Sequence, residues 1–324
     1  MDNLEHIYQS KQKILSDADN SVYLLCVFRD EELLLEYFIN YYKELGVTHF
    51  IMVDNLSVDN GVKYLKQIDD INLVIYRASG SYREAAFGTA WINQLLSKYC
   101  NNQYCFTVDV DELFYFDPYK YNGLQDLIDA MESLKSNVIA TTLLDMYPLT
   151  VNDGYKKGEV FLSHSPYFDR FNGVYYKNNS RAYKNFYHKT GGVRERVFGK
   201  TVCINKFPFF KYDFAPVGVA AGYHFFQRKD DSGKNKVLMD SDAIRLFSQS
   251  ALLLHFKFIK PNLKTFFKRR VSLNQDWDNS SEYQAYAVAF EDNSSVELYH
   301  ERYSENFYDA DCAVRLFFES LTEE

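Results

Sequence analysis

Proline and glycine are scarce in this chain of 324 residues, at 6 and 14, and its five cysteines are odd in number with no Cys-x-x-Cys pair. Ordinary apolar (47%) and charged (25%) fractions exclude collagen-like repeats and intrinsic disorder. Cys26 sits inside an apolar run, where a reduced, buried thiol is expected. The longest apolar runs, 22–28 and 251–254, fall far short of the roughly 18 to 20 residues of a membrane span. The first twenty residues are polar and acidic and hold no apolar core of a secretory signal. These absences point to a soluble, cytoplasmic protein. Aromatic rings, in contrast, abound: 27 Tyr, 27 Phe and 2 Trp make up 17% of the chain. Rings with a polar handle suit thick cores and carbohydrate or base platforms alike.

From residue 21 to about 146, strand-like and helix-like patterns alternate. The continuous apolar run 22–28 reads as a strand buried on both faces. Asp30 is placed to cap a following helix that carries Leu33, Leu34, Tyr37, Phe38 and Tyr41 at helical spacing, and Gly46 to end it. Strands are expected at 49–53, 72–76 and 104–108, with helices at 62–68 and 83–99 between them. Such alternation with short links predicts an α/β protein, a mostly parallel sheet flanked by helices. Beyond 146 the alternation decays into irregular strands at 160–171 and 197–212. Helices are expected from about 241, at 281–291 and at 308–321, which makes this half irregular α+β.

Charge is unevenly spread in a chain of net −8. Residues 170–211 hold ten Lys or Arg and one acid, Glu195, and residues 256–270 hold six basic residues and no acid. Two basic, aromatic-laced segments in an acidic protein suggest either a focused site for an anionic partner or solvated surface. Overall acidity and the lack of a recognisable nucleic-acid module argue against DNA or RNA.

The sharpest chemical signal is Phe106-Thr-Val-Asp109-Val-Asp111-Glu112, an apolar strand ending in Asp-x-Asp-Glu. Positions i and i+2 at a strand end project to one side, so two hard oxygen donors can face a single Mg2+ or Mn2+ and leave room for phosphate and water. The plainer alternative is an Asp-rich turn. Asp54-Asn55-Leu-Ser57 follows another strand, where Asp54 suits a nucleobase or ribose edge or, equally, an Asx turn. Arg29, directly after the first strand, suits a diphosphate or a base edge. Arg83, opening the helix before the metal strand, is placed to face phosphate, whereas Trp91 reads as core. Glu195, after Gly191-Gly192 and between Arg194 and Arg196, is either a general base or a salt-bridged surface acid, with Asp145 and Asp213 as competitors. The two arginines are candidates for a diphosphate or an acidic acceptor. His224 and His255 are candidate ligands or hydrogen-bonded core residues. The segment 256–270 suits either an anionic membrane surface or the lining of a phosphate site.

Taken in order, Phe28-Arg-Asp-Glu31, Tyr41-Tyr-Lys-Glu-Leu-Gly-Val-Thr-His-Phe50, Val53-Asp-Asn-Leu-Ser57 and Val108-Asp-Val-Asp-Glu-Leu-Phe114 resemble family 2-like glycosyltransferases of the GT-A fold, in the bacterial branch that builds surface polysaccharides. The resemblance continues in Gly191-Gly-Val-Arg-Glu-Arg-Val-Phe198, Lys206-Phe-Pro208 and Leu254-His-Phe-Lys257 and spans roughly residues 20 to 270. It implies a GT-A-type, Rossmann-like fold with a nucleotide-sugar half at 21–146, an acceptor-side half with C-terminal helices at 147–324, and an extension at 1–20. It further implies an inverting, Mn2+- or Mg2+-dependent hexosyltransferase, with Asp109 and Asp111 at the metal, His255 matching a recurring histidine that would complete the metal shell, and Asp54 at the donor base or ribose with Arg29 beside it; Asn55, Arg83, Arg194 and Arg196 join the donor candidates on the residues alone. The substrates implied are a nucleoside-diphosphate sugar, a UDP-sugar first, and a glycan or lipid-linked acceptor for capsule or lipopolysaccharide. The alternative is a non-catalytic sugar- or polyanion-binding protein on the same fold. Nucleotidyl transfer is disfavoured because no Gly-rich phosphate loop follows the first strand.

Overall fold

A computed structural model describes residues 3–10, 21–151, 154–170, 174–178, 187–215, 217–229, 233, 235–237, 243–247, 251–292 and 296–308. In chain order the elements are β1 (Leu4–Gln9), β2 (Val22–Phe28), α1 (Glu32–Leu45), β3 (His49–Asp54), α2 (Gly61–Leu65), β4 (Asn72–Ala78), α3 (Thr89–Tyr99), β5 (Tyr104–Thr107), β6 (Glu112–Tyr115), α4 (Leu124–Ser133), β7 (Val138–Asp145), α5 (Phe161–His164), β8 (Tyr167–Asp169), β9 (Val174–Asn178), β10 (Tyr187–Gly191), α6 (Val193–Phe198), β11 (Asn205–Lys211), β12 (Gly218–Val219), β13 (Phe226–Lys229), β14 (Asn235–Val237), β15 (Ala251–His255), α7 (Leu263–Leu273), α8 (Trp277–Asp292) and β16 (Ser304–Asn306).

Nine strands form one sheet in the order β1-β4-β3-β2-β5-β11-β7-β15-β6. Six of them (β4, β3, β2, β5, β7 and β15) run one way, and β1, β11 and β6 run against them. Period-2 alternation sends Leu24, Cys26 and Phe28 of β2 into one core layer with α1 and α4, and Leu25 into the other with α3. This is an α/β protein with a mostly parallel central sheet flanked by helices. Both halves of the chain supply the sheet, because β11 inserts between β5 and β7 and β15 follows β7.

Local chemistry accounts for the links. Asp30 does not cap α1: its φ is 56° and Glu31 is the first flanking residue, without a side-chain cap. The Asp59 carboxylate accepts the Glu32 N–H at 2.8 Å instead, so the cap comes from the loop after β3. Gly46 ends α1 at φ 115°, a left-handed position in which its N–H and that of Val47 close back onto the last turn. Strand β11 (NKFPFFK) carries Pro208, and its ladder with β7 shifts register between Lys206 and Phe209, which removes the need for a proline N–H.

Several sequence expectations shift. The helix expected at 62–68 is the single turn α2, and the one expected at 83–99 starts only at Thr89. Residues 160–171 give α5 and β8 rather than irregular strand, and α6 precedes β11 in the second such stretch. Near 241, the described residues 243–247 form a turn and an isolated bridge, not a helix. Of the helix expected at 308–321, only Tyr308, in a turn, is among the described residues; 309–321, with Cys312, lie outside them. Among the described residues, no helix is long and apolar enough to cross a membrane. Helices α7 and α8 pack together on a third aromatic-rich core with Val193, Tyr147 and Leu298, and this pair forms one wall of the site.

Candidate functional site

The carboxyl ends of β2, β3 and β5 meet the carboxyl end of β15 and the α7–α8 wall around one cleft of about 890 Å³, open solvent included. Ligands bind at this edge in open α/β sheets. Of the residues singled out in the sequence, Arg29, Asn55, Asp109, Asp111 and His255 line it. Lys257, Lys260 and Arg270, three cations of the 256–270 segment, line it as well, together with Tyr283, Glu31, Tyr82 and Asp276. The composition of that segment suits either a membrane face or a phosphate lining. These three cations face the cleft.

Asp109 and Asp111 differ in state. Burial and the nearby Glu112 carboxylate push Asp109 up to about 6, against the pull of Lys206. Burial also raises Asp111, but His255, Lys260, Lys257 and Lys206 outweigh it and hold the group at about 2. Lys206 is 7% exposed, ion-paired to Glu112, and lies 3.8 Å from Asp109 Oδ2. Burial alone would discharge Lys206, but those two carboxylates keep it protonated. Glu112 in turn accepts the Asp109 N–H at 3.1 Å, so the Asp-x-Asp-Glu turn is fixed from within.

His255 Nε2 lies 3.9 Å from Asp111 Oδ2, and its Nδ1 is 2.6 Å from Asp145 Oδ1. With Nδ1–H assigned as donor to that carboxylate, Nε2 is the ring nitrogen turned toward Asp111. Arg194 Nε donates to the other Asp145 oxygen at 2.7 Å and its Nη1 reaches Glu282 at 3.2 Å, so a buried chain of alternating charge backs the histidine. Arg194 and His255 lower the Asp145 pKa despite burial, which by itself raises it. A carboxylate behind an imidazole is a common outer-shell arrangement at metal sites.

The cleft thus brings together one carboxylate held ionised, a second two residues away, and an imidazole oriented by Asp145. Among the described residues, no three His, Cys, Asp or Glu side chains close into a metal cage. A cation held by Asp111 with Asp109 and His255 would therefore complete its shell with water and phosphate oxygens, as Mg2+ commonly does.

Other sequence candidates lie elsewhere. Asp54 is fully buried: Oδ1 accepts the Ser57 N–H at 2.8 Å and Oδ2 pairs with Arg77 at 3.2 Å. Both carboxylate oxygens are thus engaged within the fold, and Asp54 does not line the cleft. Asn55, beside it, is pinned by Nδ2 to the carbonyls of Ala78 and Gly80. Arg83 does not line the cleft; its Nη2 donates to the Asp276 carbonyl at 3.1 Å and to Asn279 Oδ1 at 3.0 Å. Arg194 is internal, and Arg196 donates to Asp169 in a bidentate pair at 2.8 Å, so neither is free for a diphosphate. Glu195, on α6, is not a cleft residue, and its Oε2 is buried without a hydrogen-bond partner. Among the competitors, Asp213 pairs with Arg245 at 2.6 Å. His224 Nδ1 lies 2.7 Å from the Asn205 carbonyl, the hydrogen-bonded alternative. Burial of Arg194 was not readable from sequence, because the acid that draws it inward, Asp145, lies 49 positions away.

No family model matches this chain, and no curated protein matches it. Among solved structures, HddC from Yersinia pseudotuberculosis aligns with 60% of this chain and 74% of its own length at 9% identity, with a TM-score of 0.29. An overlap that shallow carries no argument about fold or activity.

Proposed function

We propose that this protein is a family 2-like, GT-A-type glycosyltransferase that uses a nucleoside-diphosphate sugar, a UDP-sugar first, and a glycan or lipid-linked glycan acceptor. The supporting observation is a cleft whose lining combines the carboxylates Asp109 and Asp111 with the cations Lys257, Lys260 and Arg270. Carboxylates alone repel a diphosphate, and cations alone take any anion. The two together suit a diphosphate carried with a divalent ion.

In this reading the acceptor hydroxyl oxygen attacks the anomeric carbon while the bond from that carbon to the diphosphate oxygen breaks. A bound divalent cation supplies charge neutralisation of the departing diphosphate. Lys257 contributes beside it: its hydrogen-bond partner is the Tyr283 hydroxyl at 2.8 Å, not a carboxylate, so its charge is available to phosphate. Lys260 and Arg270 are held on the rim by Glu31 and Asp276. Arg29 and Asn55, after β2 and β3, contact the nucleoside end. The acceptor proton needs a base in the cleft, and Glu31 meets that condition where Glu195 does not. Burial raises the Glu31 carboxyl, and Lys260 partly offsets the rise.

Calorimetric titration with UDP, GDP and CDP, with and without Mn2+, tests the reading on wild type and Asp111→Asn. Metal-dependent binding of one nucleotide, lost in the variant, is the expected result. Absence of nucleotide binding under every metal condition would overturn it.

A further inference from the structure

The two tryptophans have opposite fates. Trp91 lies in the core at 4% exposure, whereas Trp277 is 73% exposed, just outside a cleft that its chain neighbours Gln275 and Asp276 line. A large ring left in water is unremarkable when its segment is loose. This one is tied down on both flanks. The Asp276 carboxylate takes Arg270 and Ser280, the Asp276 carbonyl and Asn279 Oδ1 share Arg83, and Ser281 donates to Asp278 at 2.7 Å. The backbone is left-handed at Asn274 and again at Asp278, Asn279 and Ser280, so the turn that presents the indole is held against its intrinsic preference.

A second ring meets Trp277 from the other half of the chain. Phe87 packs edge-on to it at 5.6 Å, and Phe87 itself has φ +57°, a region that bulky residues avoid. The neighbouring Gly88 is at φ +80°, and a Cβ there would meet Tyr82 at 2.9 Å. Tyr82 in turn packs edge-on to Phe87 at 6.2 Å and lines the cleft. Three rings therefore run in series from the cleft wall to solvent. Edge-on contact with a single neighbour, at 73% exposure, leaves a face of the indole open.

Resting on the glycosyltransferase reading, we propose that Trp277, backed by Phe87, is the platform on which a pyranose ring of an uncharged glycan acceptor stacks as it reaches across the lip toward the donor. The donor itself belongs inside, among Arg29, Asn55, Asp109 and Lys257, and Trp277 is not part of that lining. An acceptor must come from outside and cross the rim. A sugar ring has an apolar C–H face bordered by hydroxyls, which matches an open indole face in a polar stretch of chain, Gln275 to Asn279. Asp278, directly after Trp277, and Glu84, three positions before Phe87, are exposed carboxylates. Negative charge this near in the chain disfavours an anionic bilayer and an acidic glycan.

The test uses the full chain with UDP and Mn2+ present, and acrylamide quenching of tryptophan emission as readout. Trp91 is buried, so quenching reports Trp277. Maltohexaose and chitohexaose at millimolar concentration are the saccharide probes, with phosphatidylglycerol vesicles and UDP alone as separate arms. The platform predicts that a saccharide shields the indole. It also predicts that calorimetric affinity for that saccharide falls about tenfold in Trp277→Ala and is largely kept in Trp277→Phe, while UDP affinity stays the same. Shielding by UDP alone would make Trp277 a base platform, and shielding by vesicles would make it a membrane anchor; either overturns the proposal. So does the absence of shielding by both saccharides when UDP binds. Failure of UDP to bind at all, read in the same calorimeter, would instead remove the transferase reading beneath it.

Discussion

The two basic segments look alike in sequence and behave differently in the fold. In residues 170–211, Arg194 pairs with Asp145 and Glu282, Arg196 with Asp169, Lys206 with Glu112 and Lys211 with Glu132, and none of these cations lines the cleft. In residues 256–270, Lys257, Lys260 and Arg270 all line it, and the carboxylates that hold two of them, Glu31 and Asp276, line it as well. The first segment threads β11 and α6 through the interior, so Arg194, Arg196 and Lys206 find internal partners, while Lys211 pairs with Glu132 at the surface. The second leaves β15 at the ligand-binding edge of the sheet and turns into α7 across the opening. Local charge density therefore reports that anions are near, but the topology decides whether the anion is a side chain or a ligand.

The hardest way to break this contrast is to remove an internal cation. Lys206→Met strips the counterion from Glu112, whose side chain is 1% exposed. Loss of one partner of a buried pair costs about 3–5 kcal/mol. Chemical denaturation should show a drop of that size, and Arg194→Met should behave similarly through Asp145. A Lys206→Met protein of wild-type stability would mean that the pair is solvated and that the first segment is less internal than its burial implies.

Removing a cleft cation should do the reverse. Lys257→Met keeps the fold within about 1 kcal/mol, since the side chain gives up one phenol hydrogen bond. It should weaken nucleoside-diphosphate binding by about ten- to a hundredfold, the worth of a charge-assisted hydrogen bond. Titration of UDP with Mn2+ reads this directly. Equal affinity in variant and wild type would move the diphosphate away from the α7 wall and erase the distinction between the segments.

How much of this was legible follows the range of the interactions. The strand–helix alternation to residue 108, the Gly46 stop and the strand-end placement of Asp109 and Asp111 rest on neighbours within a few positions, and periodicity carries such information. Strand β1 was not legible, because its edge position against β4 needs no continuous apolar run. Nor was the capping of α1 by Asp59, or the inward turn of Asp54, which pairs with Arg77 across two parallel strands. For Arg194, Arg196 and Glu195, local sequence showed a glycine-hinged basic loop. Partners on β7, β8 and α8 decided otherwise, and no pattern in the segment itself encodes them.

A smaller effect probes the link between the segments. Asp145 touches both, holding His255 of the second and Arg194 of the first. Asp145→Asn should lower Mn2+ affinity about tenfold, the lower end for loss of an outer-shell partner, because the imidazole is then free to adopt either tautomer. Calorimetry of Mn2+ in the presence of UDP measures it. Unchanged Mn2+ affinity alongside lowered stability would make Asp145 a purely structural counterion to Arg194.

The finest test is pH, since it separates two carboxylates two residues apart. Asp109 is raised from its ordinary 3.8 to about 6, so in metal-free protein its contribution favours the fold at low pH and is lost as pH rises through 6. Asp111 is lowered from 3.8 to about 2, so its contribution is present above the ordinary value and is lost only as pH falls toward 2. Between those windows only Asp109 changes state. Asp109→Asn, which mimics the protonated form, should therefore gain stability relative to wild type as pH rises from the ordinary carboxylate value past about 6. The gain will be modest, because the side chain keeps 41% of its surface and water screens it. Divalent-ion affinity of the wild type should fall as pH drops below about 6, where the proton competes for Asp109. Thermal unfolding of both proteins across that window reads the first effect. Parallel curves would show that Lys206 already neutralises Asp109, leaving Asp111 as the ionised carboxylate of the Asp-x-Asp pair.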